Sequence, residues 1–344
     1  MPSFRTGAVT ALLSERPGLQ RVEVDGRRAY VLTQLTGPVA VGDRVVVNTT
    51  AVDLGLGTGG WDVVHWNLAR DAWSVPGGGH IMKLRYTSLQ ADTGAAEEVP
   101  GYEPPGDLAG LPVVACGLHS QLACVAVVVR HLVPGARVAY VMTDGGALPL
   151  ALSDLVVALR AAGLVDTTVT AGQAFGGDLE AVNVRSALDL AAGAGADLAV
   201  VATGPGVVGT STPHGFSGLE VASVVDLAAK GGGHPIVPLR FSGADRRDRH
   251  RGVSRQSLVA LEHAHARAVV PVPTGEPLPG LKHHDVVAVD VPPVGDLLAA
   301  AGVVVTSMGR GPGDDPGFFA YAGAGGVAAA GAVGRRRAAR DSLR

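Results

Sequence analysis

The stretch DLAVVATGPGVVGTSTPHGFSGLEVASVVDLAAKGG, Asp197 to Gly232, decides how this chain is read. It opens on an apolar run that ends at Thr203, and near-continuous apolar character is what a strand covered on both faces requires. A loop of small residues follows. The stretch closes on an amphipathic run that stops at Gly231-Gly232, as helices stop at glycine. The unit therefore reads strand, loop, helix. Gly204 to Ser211 spell G-x-x-x-x-G-T-S, a phosphate-binding P-loop with Thr210 where the lysine belongs. A true P-loop passes straight into its helix, whereas Pro213 and Gly215 delay this one until about Ser217. An ATPase loop is not expected. Gly204, Gly206 and Gly209 also fit G-x-G-x-x-G, but a lone match after the fourth strand of a domain is weak support for a dinucleotide site.

The same alternation extends in both directions. PVVACG precedes SQLACVAVVVRHL, RVAYVMTDG precedes LALSDLVVALRAAG, and DTTVTAG precedes LEAVNVRSALDLAAGAG. Downstream, PIVPLRFS precedes SRQSLVALEHAHAR, and AVVPVP and DVVAVDV are two further strand-like runs. Strands alternating with helical segments predict a doubly wound, mostly parallel, Rossmann-like α/β sheet over residues 112–344. Residues 1–90 differ. Short β-branched runs separated by turn signals, with Asp25-Gly26 at a hairpin position, predict a small antiparallel β-barrel-like domain. Residues 91–111, rich in Pro, Gly and acid, read as a linker or long surface loop.

Composition narrows the functional classes. Hydrophobic residues are 47% and charged residues 17%, so a large core is available, and the net charge of -3 argues against general nucleic-acid binding. Trp61, Trp66, Lys83 and Arg85 in the N-terminal part suit a domain contact better than base stacking. Two cysteines, Cys116 and Cys124, are too few for a disulfide framework and read as small core residues in a cytoplasmic protein. Neither PVVACGLHSQLACVAVVV nor the glycine-rich FFAYAGAGGVAAAGAVG near the C-terminus reads as a spanning segment. The latter suits close packing, including a contact between two copies of a dimer.

In an open α/β sheet, ligands bind beyond the carboxyl ends of the strands. Five predicted loops there carry polar groups: His119-Ser120-Gln121, TDGGALP, GQAFGGDLE, GPGVVGTSTPHGFSG and RFSGADRRDRHRGVSR. Together they predict one cleft. His119, His214 and His250 have the imidazole that titrates near neutral pH for acid–base work, and Asp144 has the carboxylate to orient one of them. Ser120, Gly145, Gly146, Gly204, Gly206, Gly209, Thr210 and Thr212 offer amides and hydroxyls to an anion, and Arg240, Arg247 and Arg251 offer charge. Asp178 and Ser217 read as helix N-caps, and Ser153-Asp154 as the start of another helix. The His and Asp inventory admits a divalent metal, but no ligand pair has the necessary spacing: His263 and His265 fall on different faces of a helix.

GWDVVHWNL, GHIMKLRYT, LHSQL, YVMTDGGALP, TAGQAFGGDLEAVNV, GPGVVGTSTPHGFSG, RFSGADRRDRHRGVSR and TSMGRGPGDDPGFFAYAGAGG together resemble a bacterial family of proteins of unknown function, the DUF3866 type. The resemblance spans nearly the whole chain. It implies that the polar loops are family signatures, with Arg310 and Asp314-Asp315 among them, and it brings no reaction or cofactor. The residues themselves point to hydrolysis or group transfer on a small anionic, phosphorylated or nucleotide-like substrate. A non-catalytic ligand-binding or oligomeric scaffold protein is the alternative.

Overall fold

A computed structural model describes residues 2–56, 59–75, 77 and 79–342. The chain divides into two compact units, Met1–Gly94 and Ala95–Arg344. The first is built on a closed five-stranded barrel in the order β1-β2-β3-β5-β4. Its strands are β1 (Phe4–Arg16), β2 (Leu19–Val24), β3 (Arg27–Val31), β4 (Arg44–Asn48) and β5 (Asp62–Asn67). All pairs are antiparallel except β3 with β5. The β2–β3 turn places Asp25 and Gly26 at positive φ, the primed geometry that Asp-Gly favours. Alternate valines (Val22, Val24, Val45, Val47, Val64) fill the interior. Register shifts in β1 bend it enough to pair with both β2 and β4.

The second unit is an eight-stranded, all-parallel sheet. Its strands are β6 (Pro112–Ala115), β7 (Val138–Thr143), β8 (Thr167–Ala171), β9 (Leu179–Ala181), β10 (Leu198–Thr203), β11 (His234–Ile236), β12 (Val269–Pro273) and β13 (Asp285–Val289). They lie in the order β9-β8-β7-β10-β6-β11-β12-β13. Leu179–Ala181, expected to open a helix, instead forms the edge strand β9. The helix begins at Val184 with Asn183 and Ser186 as a capping box, so Asp178 is not its cap. Asp178 accepts from the Thr168 amide and pairs with Arg160. Ser153 does cap, accepting from the Val156 amide.

Helices cover both faces. On one lie α1 (Gln121–Leu132), α2 (Asp154–Ala161), α6 (Val294–Ala300) and most of α7 (Pro316–Asp341), packed on Val114, Tyr140, Met142 and Val200. On the other lie α3 (Val184–Gly193), α4 (Val221–Lys230) and α5 (Arg255–His263), packed on Val113, Val141, Val201 and Val270. Leu108 and Leu111, from the stretch read as a linker, are buried in this second core. Helix α7 is long and apolar enough to cross a membrane, and 67% of its apolar window is buried inside the fold. Two of its glycines serve internal packing: a Cβ at Gly326 would crowd Val128, and one at Gly323 would crowd Val294. Cys116 and Cys124 are buried free thiols, and burial pushes both pKa values up.

Strand β6 sends its loop to α1 on one face, while its neighbours β10 and β11 send theirs to α4 and α5 on the other. Such oppositely directed loops open a crevice at the carboxyl edge. Buried Gln121 spans it. Its Oε1 accepts from the Leu118 amide at 3.0 Å and its Nε2 donates to the Pro238 carbonyl at 3.1 Å.

Candidate functional site

The crevice holds a pocket of about 420 Å³. Three of the five expected loops wall it: Leu118 to Ser120 after β6, Pro205 to Gly209 after β10, and Arg240, Arg247, Arg249 and His250 after β11. Leu155 of α2, Gln256 of α5 and the segment Val304 to Met308 complete the lining. Of the expected residues, His119, Ser120, Gly206, Gly209, Arg240, Arg247 and His250 meet here, and Arg249 joins them. Helix α1 begins directly after Ser120, so the positive end of its dipole opens on the pocket.

The charge is concentrated on one wall. Buried Asp245 accepts from Arg247 through Nε at 3.0 Å and Nη2 at 2.8 Å, a bidentate pair that fixes the guanidinium plane. Arg240 reaches the same carboxylate at 3.4 Å and Arg310 at 3.5 Å. Arg310 also pairs with buried Asp315 at 3.3 Å, which in turn binds the Ser242 hydroxyl and the Gly243 amide. The Arg247 hydrogen bonds hold the Asp245 carboxyl well below the usual range, so it stays ionised. Burial and the neighbouring Arg247 lower Arg240 to about 10, which leaves it charged at neutral pH. The carboxylates sit behind the arginines, and among the described residues no acid lines the pocket. The exposed wall is therefore positive.

Both pocket histidines are engaged and neutral. His119 Nδ1 lies 3.1 Å from the Thr203 carbonyl and 3.0 Å from Tyr140 Oη, and Nε2 lies 2.7 Å from Ser153 Oγ. The Thr203 carbonyl can only accept, so Nδ1–H donates to it, and the bare Nε2 accepts from the Ser153 hydroxyl, whose oxygen accepts in turn from the Val156 amide. Burial lowers His119 to about 4. His250 Nε2 accepts from Arg249 Nε at 3.3 Å, and Nδ1 lies 2.8 Å from Ser254 Oγ. Burial, with Arg240 and Arg247 beside it, lowers His250 to about 4.

The other expected residues lie outside the lining, each for a local reason. Gly146 and Gly204 are packing glycines: a Cβ at Gly204 would fall on the Ala147 carbonyl, and one at Gly146 on that of Gly204. Gly145 abuts Thr203 and Glu220 in the same way. Exposed Asp144 accepts from the Gln173 amide at 2.9 Å and ties the loop after β7 to the loop after β8. Thr210 and Thr212 bond each other at 2.7 Å, and Thr210 N–H donates to the Gly215 carbonyl at 2.6 Å. They form an exposed turn rather than a cradle. His214, on that turn, packs edge-on against His263 with centroids 4.9 Å apart. Arg251 donates to the Asp245 carbonyl at 3.4 Å.

Sequence reasoning missed Glu220, which accepts from Thr143 Oγ1 at 2.6 Å and which burial, with Asp144 adding, raises to about 7. Its only signal was an acid immediately before the amphipathic helix α4. Among the described residues no three His, Cys, Asp or Glu side chains gather as a metal site. A comparison with curated proteins finds no match. A family of proteins of unknown function, DUF3866, matches residues 28–326, a range that contains every residue lining the pocket. With that much of its length matched, this chain belongs to the DUF3866 family.

Proposed function

We propose that this protein binds a small organic anion in the pocket at the carboxyl edge of its parallel sheet. The observation that carries the reading is the wall of Arg240, Arg247 and Arg249 with Asp245 behind it. Asp245 holds the Nε and Nη2 edge of Arg247 and leaves Nη1 for a ligand oxygen. The helix α1 N-terminus adds to the same field. A phosphate or a carboxylate fits this chemistry.

Hydrolysis or group transfer would ask His119 or His250 to exchange protons with the ligand. Both imidazoles are neutral at working pH and both have their two nitrogens occupied. The geometry therefore favours binding over turnover. Calorimetry and thermal unfolding with inorganic phosphate, a nucleoside monophosphate and a dicarboxylate test the reading. Stabilisation by at least one of them, weakened by salt and lost in Arg247→Gln, is the expected result. Equal melting with and without every anion would sink it.

A further inference from the structure

We propose that the anion taken by this pocket carries an unbranched apolar body, and that Met308 and Val304 select for it. The inference rests on the anion-binding reading above and extends it to the class of ligand. Besides the arginines, the pocket is lined by Leu118, Leu155, Val207, Val304, Val305 and Met308. Two of these are strongly exposed, Val304 at 88% and Met308 at 60%, so packing within the fold does not explain them. No Phe, Tyr or Trp lines the pocket among the described residues, and the rings of His119 and His250 are held by their own hydrogen bonds, so this part of the lining offers aliphatic contact rather than a stacking platform for a base.

The backbone at Met308 points the same way. Ser307 and Arg310 exchange backbone hydrogen bonds at 2.9 and 3.0 Å around a two-residue turn. Met308 has φ 52° and Gly309 φ 78°, the primed turn whose first position favours Asn, Asp or Gly. A methionine there works against local preference, and such exceptions cluster at active sites and ligand clamps. The turn is also anchored. Arg310, its last residue, pairs with Asp315 and Asp245 in the arginine cluster. One short segment thus ties the apolar wall to the charged one and sets the distance between an acidic head and its tail. A flexible thioether suits an aliphatic chain. The volume of about 420 Å³ holds a head group with a chain of several carbons.

The test is calorimetry on the full chain with two probe pairs, inorganic phosphate against n-hexyl phosphate and acetate against hexanoate. Each fully buried methylene is worth about fourfold in affinity, so a half-covered chain should tighten binding at least about tenfold within a pair. Met308→Asn suits the turn better than methionine, so its melting temperature should equal or exceed that of the parent while the within-pair gain falls below about threefold. Val304→Asn, at an exposed position, should fall in the same way and guards against a misfolded turn variant. If the heads bind but neither tail adds affinity, or if both variants keep the full gain, the proposal is overturned and the anion-binding reading stands. If no probe binds at all, both fail.

Discussion

Glu220→Gln should change how the stability of the α/β unit depends on pH. Folding raises this carboxyl from 4.5 to about 7, chiefly through burial. In that interval the folded chain holds a proton that the unfolded chain releases. The protonated form therefore contributes stability that is present below about 4.5 and lost as pH rises through about 7. At a factor of ten per pH unit the loss is about 3 kcal/mol, and residual solvent contact at Glu220 reduces it to about 1–2 kcal/mol. Glutamine keeps an oxygen for Thr143 Oγ1, now 2.6 Å from the carboxylate, and cannot ionise. Its advantage over the parent should thus grow by that amount between pH 5 and pH 8. The parent profile alone would hide the effect. His119 and His250, lowered to about 4, supply contributions present above 6.5 and lost as pH falls, which run against Glu220 over the same range. The readout is therefore the difference between the two proteins in urea unfolding, taken at half-unit steps. A difference that stays constant from pH 5 to pH 8 would refute the burial of Glu220 as described.

Other outcomes follow from the same contacts. Gly204→Ala drives a Cβ into the Ala147 carbonyl, and because backbone cannot yield as a side chain can, thermal unfolding should show a loss of about 3 kcal/mol. Gly206→Ala, with φ 93° and open space around it, should cost only about 1–2 kcal/mol in strain. Asp245→Ala leaves Arg240, Arg247 and Arg310 without their shared carboxylate, so about 3–5 kcal/mol should be lost, and added phosphate should restore part of it if the anion takes the carboxylate's place. His119→Ala removes the ties to Thr203 and Ser153 and should lower stability by about 2–4 kcal/mol at pH 7, with a smaller deficit at pH 4, because below 6.5 the unfolded parent gains a proton on this imidazole that the folded one refuses until about 4.

The sheet was legible because its strands are apolar on both sides and its helices end on glycine, two signals that survive without any contact information. VAYVMT and LAVVAT admit few other structures. The edge strand β9 was not legible: LEA is followed at once by a helical period, and its pairing with β8 depends on Thr170, Gly176 and Glu180 meeting across a loop. The barrel was legible from its β-branched runs and Asp25-Gly26, whereas the parallel β3–β5 pair is a closure property that no local pattern encodes.

The site was legible as a region and not as a roster, and the loop from Gly204 to Gly218 shows why. Gly204, Gly206 and Gly209 all looked like anion ligands, since sequence cannot separate a glycine that exposes an amide from one that lets two backbones touch. The structure separates them: Gly206 and Gly209 line the pocket, while Gly204 packs on Ala147. The hydroxyls of Thr210 and Thr212 bind each other because Pro213 and Gly215 turn the chain back on itself before the helix. The delay in the helix, which argued against an ATPase loop, thus also carries His214 to an exposed turn. The same uncertainty applies to charge. ADRRDRHRGVSR was readable as either a solvated loop or an anion site, and what decides between them is the burial of Asp245. An exposed aspartate would neutralise its arginines toward solvent. A buried one instead orients them, and directs their remaining donors into the pocket.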